Sequence, residues 1–504
     1  MEKSRKIKSI EERKYQKNNK LLFFWCVLVS LGFLAICSKS SFLYPINDWV
    51  DSNCFFTMGK ALMNGRVLYR DIYEQKGPLL YFVHGLAYLF SNDSFIGVYI
   101  IEALSFSLFL FFSIKSAELY LKRYDLLLLM APILSFMILT SKSFSHGDSV
   151  EELSLVFVIY GLYSVLNSIK KGKSLQKKEA LFNGIGAASM LWMKYTLVGF
   201  YIGLIIVILF MYISKKEFKE LFTIIQYFLL GFFIITIPIF IYFLINDSLE
   251  DLLRSYFYNN IFLYQVENTS VPLNNTFELL IRLVQDNLIF SIIMISGVFW
   301  SFTQEFKEFL IITLSFLSLV MTVYIGGRYY VYYGLILSPY AVFGIIAFLS
   351  EIEKNKRLLI VKKYQPFLLI ISFLFFIVLS YINSSNVYLM QVTPQEMPQY
   401  KFAEKMKEKN NPKILNYGFL DGGFYTAANA MPEFKYFCTL NIPLPDMHEE
   451  QKSYIENEQA DFVITRGKEL SEYKLKSSGY KKIDESSFFF SYKTWTYYLY
   501  TKIE

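Results

Sequence analysis

The chain has 504 residues, with 54% hydrophobic and 19% aromatic side chains, a mean hydropathy of +0.34 and a net charge of +7. This composition is too apolar for an ordinary soluble domain and indicates a polytopic membrane protein. The basic residues cluster in short loops between apolar stretches, so the positive charge indicates how the chain is oriented in the membrane. No motif of a nucleic-acid-binding protein is visible.

The N-terminus predicts a cytoplasmic segment followed by a retained membrane anchor. Residues 1–20 carry eight basic and three acidic side chains, and an apolar stretch follows at 21–37. The sequence after this stretch lacks the small-residue cleavage site of a signal peptide. Because positive charge favours the cytoplasmic side, we place the N-terminus inside.

Eleven apolar stretches have close to the length of a membrane-spanning helix, roughly 17–25 residues. They are 21–37, 95–114, 125–141, 151–169, 180–195, 196–213, 221–245, 287–302, 308–325, 331–350 and 365–382.

Charge decides how a shorter apolar stretch, 77–90, is placed. If it crossed the membrane, the basic loop 170–179 would lie outside the cell. If it does not cross, that loop and the basic segments 215–220 and 353–363 all lie inside, as positive charge prefers. We therefore predict a half-helix at the outer interface that begins at Gly77-Pro78.

The predicted fold is a polytopic α-helical membrane protein with about eleven transmembrane helices and interfacial helices in the first outer loop, plus a small C-terminal extracytoplasmic α/β domain. The predicted parts are a cytoplasmic N-terminus (1–20), a transmembrane domain (21–382, first outer loop 38–94) and the extracytoplasmic domain (383–504). In the last part, the predicted strands KILNYG, DFVITR, SSFFFSYK and TWTYYLYT alternate with helices at 395–409 and 447–458.

Residues 51–82 of the first outer loop are the most informative segment, because they place seven charges beside the bilayer. Such charges are costly unless they meet water, partners or a charged ligand. Asp51 lies near the start of a predicted helix, whose dipole keeps a carboxylate ionised, as a general base requires. Simple N-capping by Asp51 is the alternative.

A basic cluster follows the carboxylate. Arg66, Arg70 and Lys76 are placed where basic residues also bind lipid headgroups without any catalysis. The tight order of a carboxylate, an Asn64-Gly65 turn and these cations favours a site that handles a lipid phosphate.

This order resembles the first extracytoplasmic loop of the C-type (GT-C fold) glycosyltransferases that use polyprenyl-phosphate sugars. Examples are the protein O-mannosyltransferases, the lipid A aminoarabinose transferases and related bacterial cell-surface polysaccharide transferases. The family pattern has an early Asp and a Lys-Gly-Pro-Leu-Leu-Tyr-like motif, matched here by Asp51 and by Lys76 to Tyr81. The resemblance implies that Asp51 is the catalytic base and that Lys76 contacts the donor phosphate. It is motif-specific only within 48–82.

The second outer loop, 142–152, carries three acids. In relatives, a glycine, a polar residue and one or two acids stand here, so the resemblance makes Asp148, Glu151 and Glu152 candidates for assisting the base or positioning the acceptor. The alternative is helix capping, in which Asp148 or Ser149 starts a helix at 150.

Metal and disulfide chemistry have little support in the sequence. His146 beside these acids could bind a divalent metal, but a single loop is weak evidence, so we predict no metal and no other cofactor. The cysteines Cys26, Cys37, Cys54 and Cys438 lack metal spacing. Cys54 and Cys438 could lie on one side of the membrane, yet disulfide frameworks belong mainly to small secreted domains, so we expect thiols.

Two later cations complete the candidate site. Lys194 lies between two predicted spans, where a charge is a functional candidate, although snorkelling to the interface is the alternative. Arg328 lies in a turn where relatives carry Gly-Arg-Tyr followed by His-Tyr; here Tyr332 replaces the histidine. A histidine role is therefore in doubt, and Arg328 is a candidate phosphate ligand. An aromatic girdle accounts for most of the tyrosines.

These observations predict a membrane glycosyltransferase that moves a sugar, with inversion, from a polyprenyl-phosphate donor to a cell-envelope acceptor on the outer face of a bacterial plasma membrane. The acceptor is a glycopolymer, lipid or protein, with a Gram-positive cell-wall polysaccharide such as teichoic acid as one candidate, and no nucleic acid is involved. The predicted residues are catalytic Asp51, Asp148 and Glu151; donor-phosphate-binding Lys76, Arg70, Arg328 and Lys194; and acceptor- or sugar-positioning Asp71, Glu152 and Tyr332.

A transporter or flippase, and a polymerase or ligase of lipid-linked saccharides, are the alternatives. The absence of an internal repeat disfavours a transporter. A ligase usually concentrates arginines in a late outer loop, whereas 246–286 has only Arg254 and Arg282.

Overall fold

The computed structural model describes residues 2–263, 273–354, 365–475, 479–490 and 493–503. Apolar helices dominate up to residue 383. They are α1 Glu2–Cys37, α2 Val50–Met63, α3 Pro78–Phe90, α4 Ile96–Ala117, α5 Tyr124–Leu139, α6 Val150–Lys170, α7 Lys177–Met193, α8 Gly199–Ser214, α9 Phe218–Ile245, α10 Leu249–Leu252, α11 Leu273–Asp286, α12 Leu288–Ser301, α13 Phe306–Tyr324, α14 Ser338–Lys354 and α15 Gln365–Asn383. Short 3₁₀ helices at Tyr195–Val198 and Val331–Leu337 lead into α8 and α14, and a π-helix occupies Leu253–Leu263.

Within the described residues, seven helical segments are long and apolar enough to cross a membrane. They are Asn19–Cys37, Ile96–Ala117, Val150–Lys170, Tyr195–Ser214, Phe218–Ile245, Phe306–Tyr324 and Val331–Lys354. The pair α11–α12, bent by 115°, makes an eighth if it forms one span. The chain is therefore a multi-pass membrane protein, as predicted.

The predicted number of eleven crossings stays a prediction. Each of the eleven predicted stretches coincides with a helix, but α5 and α7 have only 16 and 17 residues. At 1.5 Å per residue these helices are about 25 Å long, somewhat shorter than a hydrocarbon core of about 30 Å. The predicted basic loop 353–363 lies mostly outside the described residues.

The short apolar stretch forms helix α3 of 13 residues, which begins at the predicted place, with Gly77 as N-cap and Pro78 in the first turn. Proline suits this position because the first helical N–H has no partner inside the helix. A helix of this length, about 20 Å, is too short to span a bilayer alone, which is consistent with the predicted half-helix.

The last part of the chain contains the predicted strands. They are β1 Ile414–Tyr417, β2 Phe462–Arg466, β3 Tyr480–Phe490 and β4 Lys493–Lys502, in one sheet of order β1-β2-β4-β3. The pair β1–β2 is parallel and the other pairs are antiparallel. Three helices accompany the sheet: α16 Pro398–Met406, α17 Phe424–Ala427 and α18 Pro445–Glu456. We call the membrane face that carries this sheet the sheet side.

The region of the sheet docks on α2 through polar contacts. Thr57 of α2 donates to the carboxylate of Asp421 at 2.6 Å, and Lys60 donates to the side chain of Asn429 at 2.8 Å. The thiols of Cys54 and Cys438 are both free, with their sulfur atoms 3.8 Å apart. Helix α2, which carries Asp51 in its first turn, is thus held by the C-terminal part of the chain.

Candidate active site

The site begins with a rigid strap, residues 74–77, that precedes α3. Tyr69 donates its hydroxyl hydrogen to the carbonyl oxygen of Lys76 at 2.6 Å, and the backbone N–H of Lys76 donates to Glu74 at 2.9 Å. Tyr81 donates a further hydrogen bond to the buried carboxylate of Glu74. The backbone on both sides of Lys76 is therefore fixed.

Gly77 brings this strap against the end of α7. Its N–H donates to the carbonyl oxygen of Met193 at 3.0 Å, and a Cβ atom at Gly77 would lie 2.0 Å from the carbonyl oxygen of Trp192. Only a residue without a side chain permits this approach. The contact brings Lys76 and Lys194 to the same cavity.

Lys194 follows directly after α7 and is held in a buried ion pair. Its Nζ lies 2.5 Å from Oε1 of Glu151 and 3.6 Å from the ring centroid of Tyr333. Lys194 is 8% exposed, so it does not snorkel into water. A buried lysine of this kind needs the carboxylate and the aromatic face to compensate for its lost hydration.

A cavity of about 300 Å³ opens beside these residues. Three cationic side chains line it, namely Lys76, Lys194 and Arg328. The remaining lining combines polar and aromatic groups with apolar ones: Gln75, Met193, Tyr195, Thr196, Tyr256, Asn260, Ile261, Val323, Ile325, Gly326 and Tyr333. Cations with neutral donors suit a phosphate, because charge-assisted hydrogen bonds are the strong ones, and the apolar wall suits a hydrocarbon chain.

Asp51 lies at the edge of this cluster. It stands in the first turn of α2, whose N-cap is Trp49, so Asp51 is not the cap. Tyr332 donates to Oδ2 of Asp51 at 3.3 Å, and its neighbour Tyr333 lines the cavity. Nζ of Lys194 lies 5.8 Å from the ring centroid of the same Tyr332. A half-buried carboxylate thus lies next to the cations.

Asp148 and Glu152 belong to a different, closed network. Asp148 accepts a hydrogen bond from Ser52 at 2.5 Å, and Nε2 of His84 lies 3.0 Å from both of its carboxylate oxygens. Its backbone N–H donates to Glu102 at 2.7 Å and to Glu152 at 2.9 Å. Neither Asp148 nor Glu152 lines the cavity, so their predicted roles stay predictions.

The capping alternative for this loop is confirmed for Ser149. Its side chain accepts from the N–H of Glu152 and caps α6, whose first turn contains both glutamates. Glu151 alone of the three acids reaches the cavity cluster, through its pair with Lys194.

Arg70 and Asp71 lie away from the cavity. They form an ion pair in which Nε of Arg70 lies 2.8 Å from Oδ1 of Asp71. Arg70 also donates to the carbonyl oxygen of Asn246 at 2.7 Å. The Arg70 guanidinium lowers the pKa of Asp71. The structure does not bring this pair to Lys76, and its predicted roles in phosphate binding and sugar positioning stay predictions.

His146 stacks on Trp49 with ring centroids 5.3 Å apart. Burial, with the nearby charge of Lys39, holds the pKa of His146 well below its usual value. In the described part of the chain, no group of three or more His, Cys, Asp or Glu side chains has the arrangement of a metal site.

Several residues of the site were not predicted from the sequence. Gln75, Tyr256 and Asn260 line the cavity, and Asn260 also donates to the carbonyl oxygen of Gln75 at 2.7 Å. Asn260 lies in the π-helix of the long segment 246–286, which the sequence presented only as a loop. The Lys-Gly-Pro-Leu-Leu-Tyr-like motif identified Lys76 as a candidate, whereas no pattern in the local sequence identified Asn260.

No protein-family profile matches the chain, and no curated protein is matched. Solved structures do match. The crystal structure of ArnT from Cupriavidus metallidurans bound to undecaprenyl phosphate has a TM-score of 0.59 and 12% identity, covering 95% of this chain and 97% of that chain. The apo structure of the same protein has a TM-score of 0.61 and 11% identity, covering 90% and 93%. The chain therefore has the GT-C fold, as the first outer loop predicted.

Proposed function

We propose that this protein is a membrane glycosyltransferase whose donor is a sugar linked to polyprenyl phosphate. The observation that carries the proposal is the cavity in which Lys76, Lys194 and Arg328 meet beside Asp51. The fold supports it, because ArnT, with undecaprenyl phosphate bound, shares this fold over most of its length.

The three cations would bind the donor phosphate and stabilise its charge as it leaves. The bond between the anomeric carbon and the phosphate oxygen breaks, and negative charge grows on that oxygen. Preorganised cations in a site with little water are effective at this step, because they need no reorganisation. Glu151 compensates the charge of Lys194 before the donor binds and holds its ammonium group at the cavity.

Asp51 would act as the general base. It takes the proton of the acceptor hydroxyl, whose oxygen attacks the anomeric carbon on the face opposite the phosphate. A single displacement of this kind inverts the configuration and needs no covalent carboxylate intermediate. Tyr332, which donates to Asp51 at 3.3 Å, orients the carboxylate.

The orientation and the acceptor are part of the same proposal. We place the N-terminus inside and the sheet side outside, where a bacterial envelope glycopolymer, lipid or protein would supply the hydroxyl group. Arg70 and Asp71, at 2.8 Å from each other on the exposed end of the first loop, would contact that acceptor more readily than the phosphate in the cavity.

Binding of undecaprenyl phosphate to the full-length protein in detergent tests the phosphate site. Lys76→Met should weaken the affinity about tenfold to a hundredfold, the value of one charged hydrogen bond of 1.5–3 kcal/mol. Lys407→Met is the matched control, because Lys407, the C-cap residue of α16, is 67% exposed. Equal affinities for the two variants would contradict the proposal.

The alternatives differ in their products. A flippase would move the lipid and leave its sugar attached, and a polymerase or ligase would change the length or attachment of the polymer. A deletion strain whose envelope polymer is exported but lacks one sugar would support the transferase. Loss of the whole polymer would support the alternatives.

A further inference from the structure

The tip of the β3–β4 hairpin exposes an aromatic side chain. Phe489 is 47% exposed, while across the hairpin Phe488 pairs with Trp495 and Phe490 with Lys493. Among the described residues after Tyr388, the only large apolar side chains as exposed as this are Phe489 and Ile503. Apart from Ile503, which follows β4, the described part of the sheet region buries or half-buries its other large apolar side chains.

The chain just after α15 lies level with the end of α1. The side chain of Asn386 donates to the carbonyl oxygen of Cys37, the last residue of α1, at 2.7 Å. The hydroxyl of Tyr388 donates to Asp48 at 3.4 Å, and the same aspartate lies 2.6 Å from Nζ of Lys39. The candidate span α1 and the apolar helix α15 therefore end at the same level.

The hairpin tip reaches this level. The rings of Phe489 and Tyr388 have centroids 6.1 Å apart. Phe488 packs on a buried cluster that includes Leu389 and Met397, from the chain that follows α15. Phe489 is therefore one ring away from the chain that follows α15 and contacts the end of α1.

The chemistry of the tip is that of a membrane interface. Trp495 has Nζ of Lys493 at 4.2 Å and the guanidinium of Arg466 at 4.7 Å from its ring centroid. Tryptophan and other aromatic rings prefer the headgroup level, and basic residues beside them attract anionic lipid headgroups. An exposed Phe489 would cost free energy in water, whereas it gains from contact with acyl chains.

We propose that the hairpin tip, residues 488–490 and 493–495, inserts into the headgroup layer of the membrane that the helices cross. The sheet is then anchored to lipid at one end and to α2 through Thr57 and Asp421 at the other. This holds the region at a fixed height above the cavity.

Depth-dependent quenching in lipid nanodiscs tests this anchor. Phe489→Cys in the full-length protein would be labelled with an environment-sensitive dye, in discs with phosphatidylglycerol and a lipid whose nitroxide lies near the headgroup. The native cysteines Cys26, Cys37, Cys54 and Cys438 are buried, and the unsubstituted protein gives their labelling background. Glu485→Cys is the control, because it is exposed and about 13 Å along the same strand.

The dye at 489 should lose most of its fluorescence to the nitroxide lipid, and the dye at 485 should lose little. Lys493→Cys, across the hairpin tip, should behave like 489 and guards against a local effect of removing the phenyl ring. Quenching at 489 and 493 that is no stronger than at 485 would overturn the proposal.

Discussion

Two clusters of charged residues lie within a few side chains of each other, and they differ in one respect. In the cavity cluster, Lys76, Lys194 and Arg328 border an open space of about 300 Å³, Glu151 pairs with Lys194, and Asp51 accepts a hydrogen bond from Tyr332. In the closed cluster, Asp148 accepts a hydrogen bond from Ser52, and Nε2 of His84 lies 3.0 Å from both of its carboxylate oxygens.

The difference indicates which carboxylates can do chemistry. A group that is fully hydrogen-bonded inside the protein contributes to the fold, because removing a partner leaves a buried charge unpaired. A group beside a cavity can meet a ligand. The two clusters share residue types and sequence neighbourhoods, since Ser52 of the closed cluster is adjacent to Asp51 of the cavity cluster.

The largest expected effect is on transfer by Asp51→Asn. Loss of a general base typically lowers a reaction rate about a hundredfold to ten-thousandfold. The affinity for undecaprenyl phosphate should stay within about twofold of that of the unsubstituted protein, a difference in binding free energy of about 0.4 kcal/mol. The transfer rate is measured as sugar added to the envelope polymer in cells. The affinity is measured as binding of undecaprenyl phosphate in detergent. Glu404→Gln, an exposed carboxyl on α16, is the control. Full transfer by Asp51→Asn would remove Asp51 from the mechanism.

Asp148→Asn should chiefly affect stability. The amide cannot replace both carboxylate contacts to Ser52 and His84, and breaking a buried pair costs about 3–5 kcal/mol. The unfolding temperature in detergent should fall clearly, and the folded fraction should keep its affinity for undecaprenyl phosphate. If the variant instead keeps its unfolding temperature but loses sugar transfer, Asp148 belongs to the catalytic centre, and the two clusters do not differ in function.

Gly77→Ala should disturb the cavity without removing any of its charges. The new methyl group would lie 2.0 Å from the carbonyl oxygen of Trp192, so the strap must move away from α7 and separate Lys76 from Lys194. We expect a loss of affinity for undecaprenyl phosphate of about tenfold, or 1.4 kcal/mol. Normal affinity in a normally stable variant would show that the close approach does not position Lys76.

The smallest expected effect is a dependence of stability on pH from Asp421, the buried carboxyl that docks the sheet region on α2. Burial raises its pKa from 3.8 to about 6 in the folded protein. The folded protein then binds this proton more tightly than the unfolded chain, so stability is higher at low pH and is lost as the pH rises through 6. Between pH 5 and 7 the loss is about 1 kcal/mol.

Asp421→Asn should remove that part of the pH dependence. Unfolding temperatures of the two proteins in detergent at pH 5 and pH 7 provide the measurement. If both proteins change equally between these pH values, Asp421 does not titrate as its burial implies.

The prediction from sequence was most accurate where a physical signal is local. Apolar stretches predicted the places of the helices, Gly77-Pro78 predicted the start of α3, and the segments KILNYG, DFVITR, SSFFFSYK and TWTYYLYT predicted the four strands. The number of crossings was less accessible, because α5 and α7 are at the limit of the length that spans a bilayer.

The candidate site was only partly predictable. Asp51, Lys76, Lys194 and Arg328 carried signals in their own segments, and the structure places the three cations around one cavity beside Asp51. Arg70 had the same kind of signal as Lys76 but pairs with Asp71 outside that cavity. A charge pattern shows which residues need a partner and does not show which partner they find.

The sequence by itself determined that this is a multi-pass membrane protein with a charged first loop, because hydropathy and charge act on each segment independently of the others. Only the tertiary structure decided which charges meet. The approach of Gly77 to α7, the pairing of Glu151 with Lys194 and the saturation of Asp148 by His84 all join residues far apart in the chain. Contacts of this kind depend on how the helices pack, and helix packing depends on all their faces at once.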